Sequence, residues 1–150
     1  MRLLIQRVSE ASVSIEESKF SEISRGLLIL IGIEEDDTER DADWLAAKAA
    51  ALRIFPDERG VMNLSVKDID GEAMVVSQFT LTASTRKGNR PSYIRAAGHE
   101  TAIPLYEYFC NKLAELIGKP VATGRFGADM QVSLINDGPV TIMIDSRLKE

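Results

Sequence analysis

The pattern of apolar and polar positions along the chain predicts several β-strands. Arg2–Val8 and Gly26–Ile33 are dominated by aliphatic residues. The second run is so continuously apolar that both faces of its strand are expected to be buried. Ala11–Ile15 alternates apolar and polar residues, which predicts a further short strand. Ala73–Thr82 predicts another strand with an unusually polar second half, so this strand faces either water or a functional site.

Two stretches have the periodicity of amphipathic helices. The first begins after the N-cap candidates 36–38 and runs to about Leu52. The second covers Thr101–Ile117 and ends at Gly118. Between the strands and the second helix, Thr82–Gly98 lacks a period and predicts a long irregular segment. The predicted fold class is α/β of the α+β type, with a curved, mostly antiparallel β-sheet or barrel-like core and two main helices.

The C-terminal part of the chain predicts two strands separated by the dipeptide Gly138-Pro139. Asp129–Ile135 alternates apolar and polar residues, and Val140–Ile144 is a second β-branched run. The intervening Asp137-Gly138 is a hairpin signal, whereas Pro139 removes a ladder donor where the returning strand would begin. One interpretation is a hairpin turn with proline at the first residue of a strand. The other is a rigid dipeptide whose carbonyls are held out to contact a ligand.

Length and composition predict a single globular domain over residues 1–150. The chain is 45% hydrophobic and 27% charged, and its formal net charge of −5 argues against broad, non-specific nucleic-acid binding. The charge is uneven, because residues 73–99 contain no acidic side chain. This stretch contains four basic residues, Arg86, Lys87, Arg90 and Arg95. They form either a phosphate-contacting face or a solvated loop.

The N-terminal region gives no sign of a targeting or membrane segment. Met1–Val8 has no long apolar core or cleavage site, and the run at 26–33 is too short to span a bilayer. We therefore expect a cytoplasmic protein that does not associate with membranes. The sole cysteine, Cys110, excludes an internal disulfide, which is compatible with a reducing compartment.

Most common catalytic arrangements lack the necessary residues. His99 is the only histidine and no Gly-x-Ser-x-Gly motif accompanies it, while Cys110 lies on an apolar helical stripe where a buried structural thiol is expected. No residue spacing suits a metal, so we expect neither a metal nor a cofactor. What remains is the set Ser77, Gln78 and Thr80. These groups could position an ester and stabilise an oxyanion without a strong base, or simply satisfy hydrogen bonds within a sheet.

Two segments resemble the signature motifs of one enzyme family. Ser77-Gln78-Phe79-Thr80-Leu81 and Asn136-Asp137-Gly138-Pro139-Val140-Thr141 resemble those of D-aminoacyl-tRNA deacylase, also called D-tyrosyl-tRNA deacylase. Further segments are similar to the family in the same order, and they cover nearly the whole chain. They are Ile5-Gln6-Arg7-Val8, Ala11-Ser12-Val13, Gly26-Leu27-Leu28, Arg53-Ile54-Phe55, Met62-Asn63-Leu64, Arg90-Pro91-Ser92 and the run from Thr123 to Met130.

The resemblance implies an enzyme that hydrolyses the ester between a D-amino acid and the terminal adenosine of tRNA. It implies a homodimer in which the Gly-Pro of one subunit, with a cis peptide bond, enters the active site of the other. The expected partners are therefore a second copy of the chain and the acceptor end of D-aminoacyl-tRNA. We also expect glycyl-tRNA as a substrate, because glycine has no Cβ to be excluded.

The resemblance also assigns roles to individual residues. Gly138 and Pro139 would bind the amino group and reject L-residues, and Arg7 would orient them. The scissile ester would be lined by Ser77, Gln78, Phe79 and Thr80, with backbone N–H groups near Phe79 as oxyanion donors. The remaining residues expected at the substrate are Phe126 and Met130, which would contact the adenine, and Asn136 of the second motif.

Two alternatives to this function stay open at the level of sequence. One is a dimeric nucleic-acid-binding protein that uses the basic stretch and performs no chemistry. The other is a hydrolase with Thr80 as nucleophile, which is disfavoured because Thr80 is internal and lacks the free N-terminal amine that usually activates threonine.

Overall fold

The computed structural model describes residues 1–149, which form a curved sheet with two helices on one side. The strands are β1 (Arg2–Ile15), β2 (Ser18–Ile23), β3 (Gly26–Gly32), β4 (Phe55–Pro56), β5 (Met62–Leu64), β6 (Glu72–Ser77), β7 (Ala122–Thr123) and β8 (Gln131–Asp145). The helices are α1 (Glu39–Ala51) and α2 (His99–Ile117), and a single 3₁₀ turn covers Phe79–Thr82. None of the helices within residues 1–149 is long and apolar enough to cross a membrane.

The long strand β1 organises the main sheet. Strand β8 runs antiparallel along one edge of β1, while β2 and β3 share the other edge, also antiparallel. The sheet continues with β6 parallel to β3 and β7 parallel to β6. The Ser21 hydroxyl of β2 donates to the Thr123 carbonyl of β7 at 2.6 Å, so the sheet almost closes into a barrel. The predicted fold class, a curved and mostly antiparallel sheet with two helices, is confirmed.

Both faces of the sheet are buried, as the apolar run of β3 predicts. Leu27, Ile29 and Ile31 of β3 pack in the core between the sheet and the helices. The neighbouring Leu28 packs in a second core inside the curve of the sheet, together with Val8 of β1. Burying a side chain of this size stabilises the fold by about 1.5–3 kcal/mol. This strand therefore holds the two cores in a fixed relation.

The helix boundaries follow the local signals in the sequence. At the start of α1, the Thr38 backbone N–H donates to the Asp41 carboxylate at 2.8 Å. At the end of α2, Gly118 adopts the left-handed conformation with φ of +76° and closes the helix. The irregular segment before α2 is also present, and it makes two isolated bridges, Ser84 with Ser92 and Ala96 with Glu34.

The sequence prediction was wrong about the continuity of three strands. Arg2–Val8 and Ala11–Ile15 form one strand, β1, and the strand β2 was not predicted. The hairpin expected at 137–139 is absent, because β8 is continuous and both of its halves pair with the same edge of β1. The strand expected to reach Thr82 ends at Ser77, because β3, its partner, ends at Gly32 and leaves nothing to pair with.

Candidate active site

The candidate site lies at the edge of the sheet where two parallel strands end. Strand β7 pairs with β6 in the register Val75 to Thr123, so the residues that follow each strand emerge at the same edge. Ser77 is the last residue of β6, and the loop after β7 contains Phe126. The fold therefore places the first predicted motif and the predicted adenine-contacting residues side by side.

The polar segment after β6 ends in a tight turn with free donors. The Gln78 backbone N–H donates to the carbonyl of Ile31 at 2.8 Å, which is the last bond of the ladder with β3. Phe79 and Thr80 then begin the 3₁₀ turn, so their backbone N–H groups have no acceptor within that turn. The side chain of Phe79 is 54% exposed. Two adjacent backbone donors thus lie at a solvent-accessible edge, which is an arrangement that can bind an oxyanion.

The side chains of Gln78 and Thr80 interact with each other. The Gln78 side-chain amide donates to the Thr80 hydroxyl oxygen at 2.6 Å. An amide donor cannot accept the hydroxyl proton, and an amide oxygen in its place would be a very weak base. Thr80 therefore has a fixed orientation but no base that would make it a strong nucleophile.

Phe126 and Met130 lie beside the end of β6. The Phe126 ring packs edge-on against His99, with ring centroids 5.5 Å apart, and at 5.8 Å from Tyr106. A Cβ on Gly124 would overlap the sulfur of Met130, so this glycine lets the methionine pack directly on the backbone. A pocket of about 380 Å³ opens here, lined by Phe126, Tyr106 and Gly124 among others.

His99 and Tyr106 are the residues at this edge that the sequence did not point to. His99 is the first residue of α2, and the Tyr106 hydroxyl donates to the Val75 carbonyl of β6 at 2.7 Å. Tyr106 lies three residues before the buried Phe109, a helical spacing that by itself predicts only core packing, while His99 is exposed at the start of the helix. Only the docking of α2 against β6 and β7 brings them to Phe126.

The Gly138-Pro139 dipeptide forms a bulge in β8. The pairing with β1 passes from Val8–Asn136 to Gln6–Thr141, so residues 137–140 lie outside the ladder. The Gly138-Pro139 peptide bond is cis, and both residues are exposed.

Side chains on both sides fix this bulge. Arg7 donates from Nε to the Asp137 carbonyl at 2.8 Å and from Nη1 to the Ile54 carbonyl at 2.7 Å. Across the bulge, the Asn136 side-chain oxygen accepts the Val140 backbone N–H at 3.0 Å. The bulge is thus a projecting piece of backbone whose two ends are tied down.

Within one chain the bulge and the polar segment occupy different parts of the sheet. The bulge lies opposite Arg7 of β1, whereas Ser77 of β6 is level with Leu3 of β1 through the register of β3. At standard strand spacings this corresponds to about 13 Å along the strands and about 14 Å across them, following the sheet. Around Gly138 the nearest groups are Val140 and Arg7, not the segment 77–80.

A cysteine nucleophile and a bound metal ion are the two other kinds of chemistry to consider for this site. Cys110 is buried, as expected, and burial raises the pKa of its thiol to about 12, so it stays protonated at neutral pH. No group of three or more His, Cys, Asp or Glu side chains within residues 1–149 is arranged to hold a metal ion.

The basic irregular segment packs next to the 3₁₀ turn. The Tyr93 ring contacts the Phe79 ring edge-on at 5.0 Å between centroids. Arg86, Lys87 and Arg90 are exposed, and Arg95 is partly exposed with its Nη2 3.2 Å from the Thr82 carbonyl. A positively charged surface therefore borders the candidate site.

The 3₁₀ turn at the sheet edge has the kind of backbone donors that can stabilise the oxyanion of an ester hydrolysis. Residues 4–145 match the family model described as D-Tyr-tRNA(Tyr) deacylase. Proteins named D-aminoacyl-tRNA deacylase from Porphyromonas gingivalis and Akkermansia muciniphila are each 65% identical over 150 residues, covering 100% of both chains. One from Phocaeicola vulgatus is 61% identical over the same full length.

Solved structures agree with this fold. One titled "c-Myc DNA Unwinding Element Binding Protein" superposes with a TM-score of 0.92 at 39% identity and covers 97% of this chain and 98% of its own. Another, titled "Structural Analysis of a probable eukaryotic D-amino acid tRNA deacylase", has a TM-score of 0.82 at 17% identity, covering 95% and 97%, and supports the fold alone.

The chain belongs to the D-Tyr-tRNA(Tyr) deacylase family. It is therefore an enzyme, a hydrolase that acts on an ester bond, as the sequence predicted.

Proposed function

We propose that this enzyme hydrolyses the ester between a D-amino acid and the 3′-terminal adenosine of tRNA, in the cytoplasm and as part of translation quality control. The observation that supports this most directly is the shared sheet edge. The segment with the Phe79 and Thr80 N–H groups and the loop with Phe126 follow parallel strands at the same sheet edge, so in this proposal one ligand places a carbonyl at the first and a base at the second. The exposed basic segment offers contacts to tRNA phosphates.

The active site is completed by a second copy of the chain. Gly138 and Pro139 project from β8 far from the segment 77–80 of their own chain, so in this proposal they enter the partner's site. Strand β8 also exposes apolar side chains beside the bulge: Val132 is 36%, Ile135 54% and Met143 55% exposed. An apolar strand face of this kind suits an isologous dimer interface.

Selectivity arises by exclusion of L-residues. The bulge can offer the carbonyls of Gly138 and Pro139 to the substrate ammonium group, but it has no side chain that could form a specificity pocket. Because Arg7 and Asn136 fix the bulge, it cannot move aside for a Cβ on the wrong face. Diverse D-residues are accepted because their side chains project away, and glycine is accepted because it has no Cβ.

The nucleophile comes from the substrate or from water rather than from Thr80. Thr80 accepts a hydrogen bond from Gln78 and has no base beside it. The 2′-hydroxyl of the terminal ribose is adjacent to the ester. It can activate a water molecule that attacks the ester carbonyl, or it can first take the acyl group itself, after which water cleaves the resulting 2′-ester. In both cases the acyl–oxygen bond breaks, and the free amino acid and a tRNA with both ribose hydroxyls are released. Gln78 and Thr80 then act by positioning the turn and the ester relative to each other.

The decisive experiment is single-turnover deacylation of matched D-, L- and glycyl-tRNA by the wild-type protein. We expect fast hydrolysis of the D- and glycyl-esters and protection of the L-ester. Equal rates for D- and L-esters, or a glycyl-ester as resistant as the L-ester, would contradict exclusion by the bulge. A tRNA ending in 2′-deoxyadenosine tests the mechanism, because substrate assistance predicts a rate loss that Thr80→Ala does not produce.

Mixed dimers test the shared site. Chains with Gln78→Ala and chains with Gly138→Ala should each form weakly active homodimers. A heterodimer would combine both defects in one site and leave the other intact, so about half of the wild-type activity per dimer should return. Heterodimers as inactive as the homodimers would show that each site is built from one chain.

DNA binding in addition to the hydrolase activity is the second candidate function, and one observation favours it. The solved structure at 39% identity is titled as a protein that binds a DNA unwinding element. The basic segment could contact DNA phosphates, although the net charge of −5 opposes a broad footprint. Salt-dependent binding of duplex and single-stranded DNA, measured beside the deacylation assay, separates the two functions.

A further inference from the structure

A buried carboxylate outside the proposed site contacts three arginines. Glu34 follows β3 and its side chain is only 4% exposed. Arg147 Nη1 lies 2.9 Å from one carboxylate oxygen, and Arg2 Nη2 and Arg95 Nε lie 3.7 and 3.8 Å from the other. That second oxygen, Oε1, is buried and has no hydrogen-bond partner among residues 1–149. Such a group is costly to bury, and its arrangement calls for a reason beyond packing.

Two of these arginines also hold the turn that follows β6. Arg2 Nη1 donates to the Leu81 carbonyl at 2.9 Å, and Arg95 Nη2 donates to the Thr82 carbonyl at 3.2 Å. These carbonyls belong to the last two residues of the 3₁₀ turn. A turn of this type has few hydrogen bonds of its own, so its orientation depends on such external contacts. The two arginines thus fix one end of the segment whose other end presents the Phe79 and Thr80 N–H groups.

Arg95 depends on Glu34 more than Arg2 does. Arg2 has a second carboxylate, because its Nε donates to Asp145 at 2.7 Å. Within residues 1–149 the only ion pair of Arg95 is with Glu34, and its side chain is 46% exposed. Without the carboxylate, the guanidinium of Arg95 would be free to turn towards solvent. The Thr82 carbonyl would then lose its donor.

We propose that Glu34 is a positioning residue for catalysis, acting through Arg95 and Arg2 on the 3₁₀ turn that presents the oxyanion donors. The inference rests on the proposed function, since it assigns the Phe79 and Thr80 N–H groups to the substrate carbonyl. Glu34 itself touches neither the substrate nor the reacting atoms. Its charge keeps both guanidinium groups directed at the turn, so the donors are already in place when the ester binds.

The test is single-turnover deacylation of a D-aminoacyl-tRNA by Glu34→Gln, which keeps the shape of the side chain but removes its charge. We expect the maximal rate to fall on the order of 10-fold, with little change in the tRNA concentration giving half that rate. Arg95→Gln should lower the maximal rate similarly, and the double variant should be no slower than the slower single variant. If the rate loss of the double variant equals the product of the two single-variant losses, Glu34 does not act through Arg95.

Arg147→Gln is the matched control. It removes a partner of Glu34 that makes no contact with the turn, so stability should fall while the maximal rate stays near the wild-type value. A control as slow as Glu34→Gln would reduce Glu34 to a structural role and overturn the proposal.

Hydrogen exchange gives a readout that does not depend on activity. Peptides covering 78–84 should exchange faster in Glu34→Gln and Arg95→Gln, but not in Arg147→Gln. If Glu34→Gln fails to fold, Arg95→Gln becomes the deciding variant. It alters a half-exposed side chain and tests the same connection between Glu34 and the turn. Unchanged rate and exchange in that variant would refute the proposal. An inactive wild-type protein would instead refute the proposed function.

Discussion

The bulge in β8 and the turn after β6 both interrupt regular strand pairing, but they expose opposite backbone groups. In the bulge, Pro139 has no N–H and the residues lie outside the ladder, so this region presents carbonyl acceptors. In the turn, Phe79 and Thr80 begin a 3₁₀ helix, so this region presents N–H donors. An α-amino ester has a donor in its ammonium group and an acceptor in its carbonyl. Under the proposed function, the two regions would bind the two ends of one substrate.

The two regions also differ in how they are held. Arg7 and Asn136 tie the bulge directly, through hydrogen bonds within or next to β8 and β1. The turn is held by hydrogen bonds from Arg2 and Arg95, and both of these arginines also pair with the buried Glu34. The anchors of the bulge contact it directly, whereas the turn is also expected to respond to substitution of Glu34, which reaches it through the two arginines.

Gly138→Ala should have the largest effect, because an added Cβ would lie 2.6 Å from the Val140 nitrogen at a residue with φ of +152°. The displaced bulge should lower the deacylation rate of D-aminoacyl-tRNA on the order of 100-fold. Gly60→Ala is the control, since it also has a positive φ of +78° but meets nothing within 4 Å. Rate measurements that give equal losses for both variants would contradict a specific role of the bulge.

Arg7→Lys should have the next largest effect. A lysine cannot donate at once to the Asp137 and Ile54 carbonyls in the geometry that the guanidinium provides. We expect a rate loss of about 10-fold, equivalent to about 1.4 kcal/mol, and a smaller ratio of D- to L-ester hydrolysis. Arg53→Lys is the matched control, because Arg53 also donates to a carbonyl but at an exposed position. It should leave the rate and the D-to-L ratio unchanged. An unaltered D-to-L ratio in Arg7→Lys would remove this residue from chiral selection.

Thr80→Ala should lower the deacylation rate less than Arg7→Lys does. The variant loses the hydrogen bond to Gln78 but no base and no backbone donor. We expect a loss of less than about 10-fold, whereas removing a true general base or nucleophile costs about 100-fold or more. Trapping of an acyl-Thr80 species by mass spectrometry, or a loss in the larger range, would make Thr80 the nucleophile.

Cys110→Ala should have the smallest effect on the deacylation rate. It tests whether Cys110 contributes to packing alone. The thiol is buried in the α2 face of the core and protonated, since burial raises its pKa to about 12. Removing it should lower the free energy of unfolding by about 1 kcal/mol in a urea titration. The deacylation rate should not change, and a loss of activity in the folded variant would bring Cys110 into the mechanism.

The sequence by itself determined the features that depend on local patterns. The continuous apolar run in β3 predicted burial on both faces, and the caps at Thr38 and Gly118 set helix ends. The set Ser77, Gln78 and Thr80 contains no strong base of its own, and this was also evident before the fold was known, because it depends only on residue types.

Only the tertiary structure decided how distant segments combine. Periodicity does not say which edge a strand pairs with. It therefore left the hairpin interpretation of Gly138-Pro139 open, although both halves of β8 pair with the same edge of β1, and it could not show that β6 ends where β3 ends. The cluster around Glu34 draws Arg2, Arg95 and Arg147 from separate parts of the chain. Ion pairs of this kind leave no local pattern, because they form only when long-range strand pairing has brought their partners together.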